Sequence, residues 1–257
     1  MSGDGPPPSI LSKAFELLAA FNSRERVMTL TELADASGLP KSTVHRLLAR
    51  LIELGAVEHH RSGYRIGLAL FQLAAVAPAV GMRDLAVPHL AALHRHTGHT
   101  VHLGVLRDFD VVYLEKVPSA RAVSVPVGAR QPANCTSVGK VLLAHRDLDE
   151  LVATLPSPLP RMTPSSIHEA DALLAELRAV RDLGVATEHE ESRLGIASLA
   201  APIIANGRAI GAISLSNRAT TPPRADEAAL RATAARVAAV VQASLYPNLA
   251  HWHPRNG

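Results

Sequence analysis

The sequence predicts an α+β chain: an N-terminal winged helix-turn-helix, a linker helix, and a larger C-terminal domain with an antiparallel sheet and flanking helices. Three observations carry this. Apolar residues recur at helical spacing from residue 9 to residue 54 and lead into a short basic hairpin. The period then changes, after residue 98, to β-rich runs. Two of those runs are joined by Asn206-Gly207, the strongest short hairpin signal. A length of 257 residues suits one large domain or two modest ones, and two is the better expectation. Apolar residues are 47% and charged residues 19%, enough to bury a core, and only eight residues are Phe, Trp or Tyr, so that core is aliphatic. The one cysteine, Cys135, excludes a disulfide scaffold and a cysteine-only metal cluster. No apolar run reaches the ~18 residues of a membrane span. MSGDGPPPS at the start has no signal-peptide pattern, so a soluble cytoplasmic protein is expected.

The expected boundaries are a tail at 1–8, the winged domain at 9–67, the linker helix at 68–82, the C-terminal domain at 83–246 and a second tail at 247–257. Ser9 caps a first helix to Phe21, with Ile10, Ala14, Leu17, Leu18 and Phe21 at helical spacing. Thr29 and Glu32 form a T-x-x-E capping box for the second, which buries Leu30, Leu33 and Ala34 and stops at Gly38. Pro40 suits the first turn of the third. There Val44, Leu47, Leu48 and Leu51 make an apolar stripe, and Ser42, His45, Arg46, Ala49, Arg50 and Glu53 make the opposite face. Gly55 closes it. Val57–His60 and Tyr64–Ile66 read as a hairpin with Gly63 at the tight position.

Helices are then expected at Leu68–Val76, which Pro78 interrupts, and at Arg83 to His96. Strand-like runs follow at His99–Leu106, Val111–Val117 and Ala122–Val127. Helices recur at Ser137–His145, Leu148–Leu155 and His168–Leu183, the last preceded by a proline-rich loop. Strands at Val185–Glu190, Ala197–Ala205 and Ala209–Ser216 precede a terminal helix, Arg224–Leu245. Six strand-like runs mixed with helices fit an antiparallel sheet with helices on one face, the other face being free to hollow into a pocket.

The formal net charge is only +3, so its location matters more than its sum. Residues 40–66 hold five lysines and arginines against two glutamates. Ala34 lets two helices approach, Gly38 makes the turn, and β-branched Val44 locks the next helix in place. That helix fits a major groove about 12 Å wide, where Arg46 and Arg50 can pair with guanine. Lys41, Ser42, Thr43 and His45 share its leading turn, and Lys13 and Thr29 complete the helical part of the candidate DNA-contacting set. Arg61, Tyr64 and Arg65 on the hairpin are expected near phosphate or the minor groove. A trihelical protein-contact module would also expose charges. The coincidence of the A-x-x-x-G turn, the apolar-poor face and the basic hairpin favours double-stranded DNA.

Three blocks then resemble the IclR family of bacterial transcriptional regulators: TLTELADASGLPKSTVHRLLARLIELGAVE followed by Tyr64-Arg65-Ile66-Gly67, then ANCTSVGKVLLA, then GVATEHEESRLGIASLAAPI and GRAIGAISLS. The resemblance implies a winged helix, a linker helix, a GAF/PAS-like effector domain, and dimers or tetramers on operator DNA. It also implies a small-molecule site at Val123, Ser137, Val138, Glu188, Ile196, Ser198, Ser214 and Ser216. Ser198 stands where many members carry cysteine, and Glu188 where some carboxylate-binding members carry aspartate. The longer Glu188 is expected either to narrow the cavity or to point outward.

The residues themselves support a polar pocket. Period-2 geometry puts Ser214 and Ser216 on one strand face with Ala212 and Ile210, where two hydroxyls can donate to a carboxylate. Ser137-Val138 opens a helix, and helix N-termini favour anions. A small organic or aromatic acid is therefore the expected effector, with no metal and no cofactor. Binding is expected to shift the DNA-binding domains through the helix at 68–77. Ser137-x-x-Lys140 matches the S-x-x-K nucleophile motif, but no S-D-N or K-T-G follows. Cys135 reads as a buried small residue, and His94, His96, His99 and His102 read as surface histidines rather than a zinc site. The expected chain is a ligand-responsive regulator and no enzyme. An enzyme with an appended DNA-binding domain and a ligand-free interaction module are the alternatives.

Overall fold

A computed structural model of the chain describes residues 9–21, 27–119 and 125–245. It divides into two compact units, one ending at Ala77 and one beginning at Pro78.

The first unit holds α1 (Ile10–Ala20), α2 (Leu30–Ser37), α3 (Lys41–Glu53), the hairpin β1 (Val57–His60) and β2 (Gly63–Ile66), and α4 (Leu68–Ala75). Local chemistry sets these limits. Ser9 accepts from the Ser12 N–H, Thr29 and Glu32 form the full reciprocal capping box, and α2 ends at Gly38 with φ +69°. Pro40 is the cap of α3 rather than its first helical residue. Leu17, Leu33, Val44, Leu47, Leu48 and Val57 close one core. Ile10, expected on the buried stripe of α1, is exposed.

The hairpin turn corrects one expectation. Its left-handed residue is Arg61 (φ +42°), not Gly63. Gly63 is required for a different reason: a Cβ there would stand 2.6 Å from the Met28 carbonyl oxygen. Met28 and Tyr64 exchange both backbone hydrogen bonds at that point, so the segment before α2 pairs with the wing.

The second unit holds α5 (Pro78–Thr97), β3 (Thr100–Arg107), β4 (Asp110–Val117), β5 (Arg130–Pro132), α6 (Ser137–Ala144), α7 (Leu148–Thr154), α8 (Ala170–Leu183), β6 (Ala186–His189), β7 (Ile196–Ala205), β8 (Arg208–Arg218) and α9 (Glu227–Leu245). Pro78 ends one helical run and begins the next, so α5 starts five residues before the expected Arg83. The six strands form one antiparallel sheet in the order β5-β4-β3-β8-β7-β6. The third strand-like run, Ala122–Val127, is displaced: Val125–Val127 is not strand, residues 122–124 lie outside the described residues, and the edge strand is β5.

Helices cover both faces of the sheet, not one. On one face α5 and α9 pack Leu90, Leu93 and Val237 against Leu103, Leu199 and Ile213. On the other, α6 and α8 pack Val141, Leu143 and Leu177 against Val111, Ala200 and Ala212. Each fully buried leucine contributes about 1.5–3 kcal/mol through the area it removes from water. Ile210 does not share the face of Ser214. The pairing jumps from Ile203–Gly211 to Ile204–Ala209, a bulge that turns Ile210 toward the α5/α9 side.

The histidines are not a surface set. His99 is half-buried and its Nε2 lies 2.9 Å from Asp226 Oδ2, tying β3 to the turn before α9. His102, on β3, is 3% exposed and stacks edge-on against Tyr113, with ring centroids 5.4 Å apart. Among the described residues no group of three or more ligating side chains could hold a metal. Burial, helped by the Lys116 charge, pushes His102 down to about 4. Its folded value lies below its ordinary 6.5, so the unfolded chain binds the proton first. Stability from this group is intact above about pH 6.5, falls as pH drops toward 4, and is flat below. Denaturant midpoints of the wild type and His102→Asn, compared across pH 7 to 4, are expected to converge as acid is added.

Candidate functional site

In the first unit the helical register of α3 decides what is presented. The leucine stripe is hidden, which leaves Lys41, Ser42, His45, Arg46 and Arg50 exposed on the opposite face and Thr43 half-buried. Among the described residues Lys41, Arg46 and Arg61 make no ion pair, and Arg61 stands at the tip of the wing. Arg50 is engaged within its own helix, with Nη1 2.8 Å from Glu53 Oε2. Arg65 is engaged across the wing by Glu58. Both pairs are exposed and screened by solvent, so they separate readily. Thr29 spends its hydroxyl on the capping box, Lys13 is half-buried on α1, and the Tyr64 ring packs on His59 with centroids 4.7 Å apart. The face therefore offers free cations at the start of α3 and at the wing tip, and spring-loaded ones at Arg50 and Arg65.

In the second unit a cavity of about 460 Å³ lies above the sheet beside α6. The cause is side-chain size. On this face the facing stretches of β7 and β8 carry the small residues Ser198, Ala200, Ala212, Ser214 and Ser216, with Ile196 beside them. Toward the alanines α6 fills the space; toward the serines the space stays open. Gly139 lets the start of α6 pack onto the turn that precedes it: a Cβ there would stand 2.2 Å from the Ala133 carbonyl oxygen. Thr136 caps α6 by accepting from the Gly139 N–H at 3.0 Å.

Of the expected effector residues, Ser137, Glu188, Ile196, Ser198, Ser214 and Ser216 line the cavity. Val138 does not; it packs into the core, its Cγ1 within 3.0 Å of where a Cβ on Gly104 would lie. Val123 lies outside the described residues. Glu188 points inward and is 2% exposed. Its Oε1 accepts from the N–H groups of Glu191 (2.8 Å) and Ser192 (3.0 Å) and from Ser192 Oγ. Its Oε2 accepts from Ser198 Oγ at 2.9 Å, and Ser198 Oγ lies 2.7 Å from Ser137 Oγ. Since Ser198 spends its proton on Glu188, it accepts from Ser137. Ser137 is then left with lone pairs only. This end of the cavity accepts hydrogen bonds, while at the start of α6 the Gly139 N–H is taken by Thr136 and those of Ser137 and Val138 have no intrahelical acceptor.

The remaining walls were not anticipated. His102 and Tyr113 enter from β3 and β4, Gln131 from β5, and Met162 and Arg193 from two loops. Tyr113 donates to Gln131 Oε1 at 3.0 Å, and burial beside the Glu188 charge pushes its phenol up, so it stays protonated. The register of β3 on β8 places His102 directly opposite Ser214. That pairing is the signal that finds His102, and it exists only once the sheet is assembled.

Beneath the cavity Lys140 is 1% exposed, with Nζ 2.8 Å from Glu191 and 3.1 Å from Glu176. Its Nζ bonds to two carboxylates while Ser137 Oγ bonds to Ser198 Oγ, which is not the pairing that an S-x-x-K nucleophile and its base require. Burial pushes the Glu191 carboxyl up, and Lys140 opposes that. Glu191 in turn holds the loop carrying Arg193. Ser166 Oγ donates to the Glu191 carbonyl at 2.7 Å, joining that loop to the proline-rich loop that supplies Met162. Cys135 is fully buried, and burial pushes its thiol up.

Both units match models of the same known family. The IclR helix-turn-helix domain model matches residues 10–61, and the model for the bacterial transcriptional regulator IclR C-terminal domain matches residues 74–243. The chain is 33% identical over 227 residues to the HTH-type transcriptional regulator XynR of Escherichia coli, covering 86% of this chain and 89% of that one. It is 35% identical over 222 residues to KdgR of the same organism, covering 83% and 84%. An IclR homologue from Microbacterium hydrocarbonoxydans, solved as a complex with 4-hydroxybenzoate, superposes with a TM-score of 0.82 at 27% identity, over 92% of this chain and all of that one. The IclR of Thermotoga maritima superposes with a TM-score of 0.71 at 26% identity, over 90% and 98%. A helix-turn-helix unit followed by a unit with a polar cavity, in a chain matched along most of its length, makes this protein a member of the IclR family of DNA-binding transcriptional regulators.

Proposed function

We propose that this regulator reads operator DNA with the leading turns of α3, anchors itself through the wing, and responds to a small hydroxylated acid held in the C-terminal cavity. The observation that supports the first part is the unpaired, exposed Arg46 on a helix whose other side is hidden. Arg46→Ala is expected to cost about 1–3 kcal/mol of operator binding and to relax specificity at one base position. Arg61→Ala is expected to weaken all duplexes alike and to flatten the salt slope by about one unit. Fluorescence anisotropy with the gene's own upstream region, repeated across salt, checks both. Unchanged binding in both variants overturns the groove assignment.

A second copy completes the reader. Helix α4 buries none of its residues within the chain, and Leu68, Phe71, Leu73 and Val76 are 62–83% exposed. On α1, Leu11 and Phe15 are 70% and 72% exposed. Apolar side chains left open on two helices of one unit suit a symmetric dimer on a two-fold operator. Phe71→Glu is expected to shift sedimentation toward the monomer and to weaken operator binding together. A variant that stays fully dimeric removes α4 from the interface. Operator binding places the protein in the cytoplasm; no single described helix is long and apolar enough to cross a membrane.

The effector class follows from the polarity of the cavity. The Ser137 and Val138 N–H groups, left open beside the Gly139 N–H that Thr136 caps, favour a carboxylate. The Glu188–Ser198–Ser137 end requires a donor, which a hydroxyl supplies. 4-Hydroxybenzoate, the ligand named for the Microbacterium homologue, has both groups. Thermal shift of the full chain with paired acids, with and without a hydroxyl, tests this; a ligand at 100 times its Kd adds about 2.7 kcal/mol. Hydroxylated members are expected to stabilise more, and Ser198→Ala is expected to narrow that preference. An effector that changes melting but not operator affinity overturns the regulatory coupling through α4.

A further inference from the structure

The wing contains an interaction that the fold of the hairpin does not require. Glu58 on β1 pairs directly with Arg65 on β2. Its two carboxylate oxygens are divided between different tasks. Oε2 accepts from Arg65 Nε at 3.0 Å and Nη2 at 2.8 Å. Oε1 accepts at 3.2 Å from the backbone N–H of Leu68, the first residue of α4. The residue before Leu68 is Gly67, which has no side chain with which to cap that helix, and the first turn of α4 carries no acidic residue of its own. Glu58 is therefore the side chain that serves the α4 N-terminus, and it does so from the wing. All three residues belong to the same unit.

We propose that Glu58 is a positioning residue for DNA contact, which withholds Arg65 from the phosphate backbone and couples its release to the capping of the linker helix. The proposal rests on the reading of Arg65 as a wing contact. The pair is exposed, and such pairs hold by a factor of only about two to five, so a phosphate competes with Glu58 for the guanidinium. When Arg65 leaves, Glu58 keeps its full charge for the N-terminal end of α4, where an anion interacts favourably with the helix dipole. Wing contact and the first turn of α4 then share one equilibrium, and each favours the other by the same factor.

The test uses the full chain, a random-sequence duplex and a salt series. Glu58→Gln keeps an amide oxygen for the Leu68 N–H and gives up the charge. It is expected to bind about two- to fivefold more tightly at low salt and to steepen the salt slope by about one. In Glu58→Gln/Arg65→Gln that gain is expected to disappear. A gain that persists in the double variant reflects the general field of one carboxylate and overturns the proposal, as does a Glu58→Gln chain that binds no better than wild type. An Arg65→Gln change without effect in either background overturns it at its root, because Arg65 then touches no phosphate. The second readout is amide hydrogen exchange at Leu68 and the residues after it. Added duplex is expected to slow exchange there in wild type and not in Glu58→Ala; equal exchange with and without duplex in wild type overturns the coupling.

Discussion

Ser198, Ala200, Ala212, Ser214 and Ser216 project from one side of two paired strands, and the space above them is deep because they fill so little of it. The opposite side of the same strands carries Leu199, Ile213 and Leu215, which lock onto α5 and α9. A period of two thus gives the sheet two unlike faces, one packed on helices and one opening into a cavity. α6 sits where the small side chains are alanines, and its capped first turn borders the region where they are serines. Remove that difference in size and the cavity, the buried position of Glu188 and the reach of the two roofing loops all change together.

Glu188 and the serines around this space are bonded to one another in a way that gives the cavity direction. Glu188 takes its donors from the loop at 190–195 and from Ser198, so it anchors the roof and orients the hydroxyls of the floor at once. Lys140 neutralises carboxylates from α8 and from the same loop. A buried cation with two partners costs heavily to disturb, since removing one partner leaves an uncompensated charge. The loops over the cavity are therefore held by charge as well as by backbone geometry.

Much of this was legible in the sequence because it depends on local chemistry. The capping box at Thr29 and Glu32, the stripe Val44–Leu47–Leu48–Leu51 and the Asn206-Gly207 hairpin are decided within a few residues. The serines of β8 were also legible, since alternation along a strand is local. What escaped depends on pairing between distant segments. Ile210 was misplaced because a bulge shifts the register on β7, and no sequence period marks a bulge. His102 was read as a surface residue because its burial comes from lying opposite Ser214. Gln131, Met162 and Arg193 arrive on segments whose paths are set by the completed sheet and by loop-to-loop hydrogen bonds. The helices on both faces follow from the same limit: periodicity says which side of a helix is buried, but not against which layer.

The tip of the wing closes on a trade-off of a different kind. Arg61 occupies a left-handed backbone conformation, with φ +42°, that a residue with a Cβ adopts at a cost of roughly 1–2 kcal/mol. Glycine would sit there without strain, and asparagine nearly so. Folding alone therefore selects against arginine at this position, and any drift toward an easier turn sacrifices a cation at the most protruding point of the hairpin. Wing sequences that look better designed for stability are, by the same token, poorer at holding a polyanion.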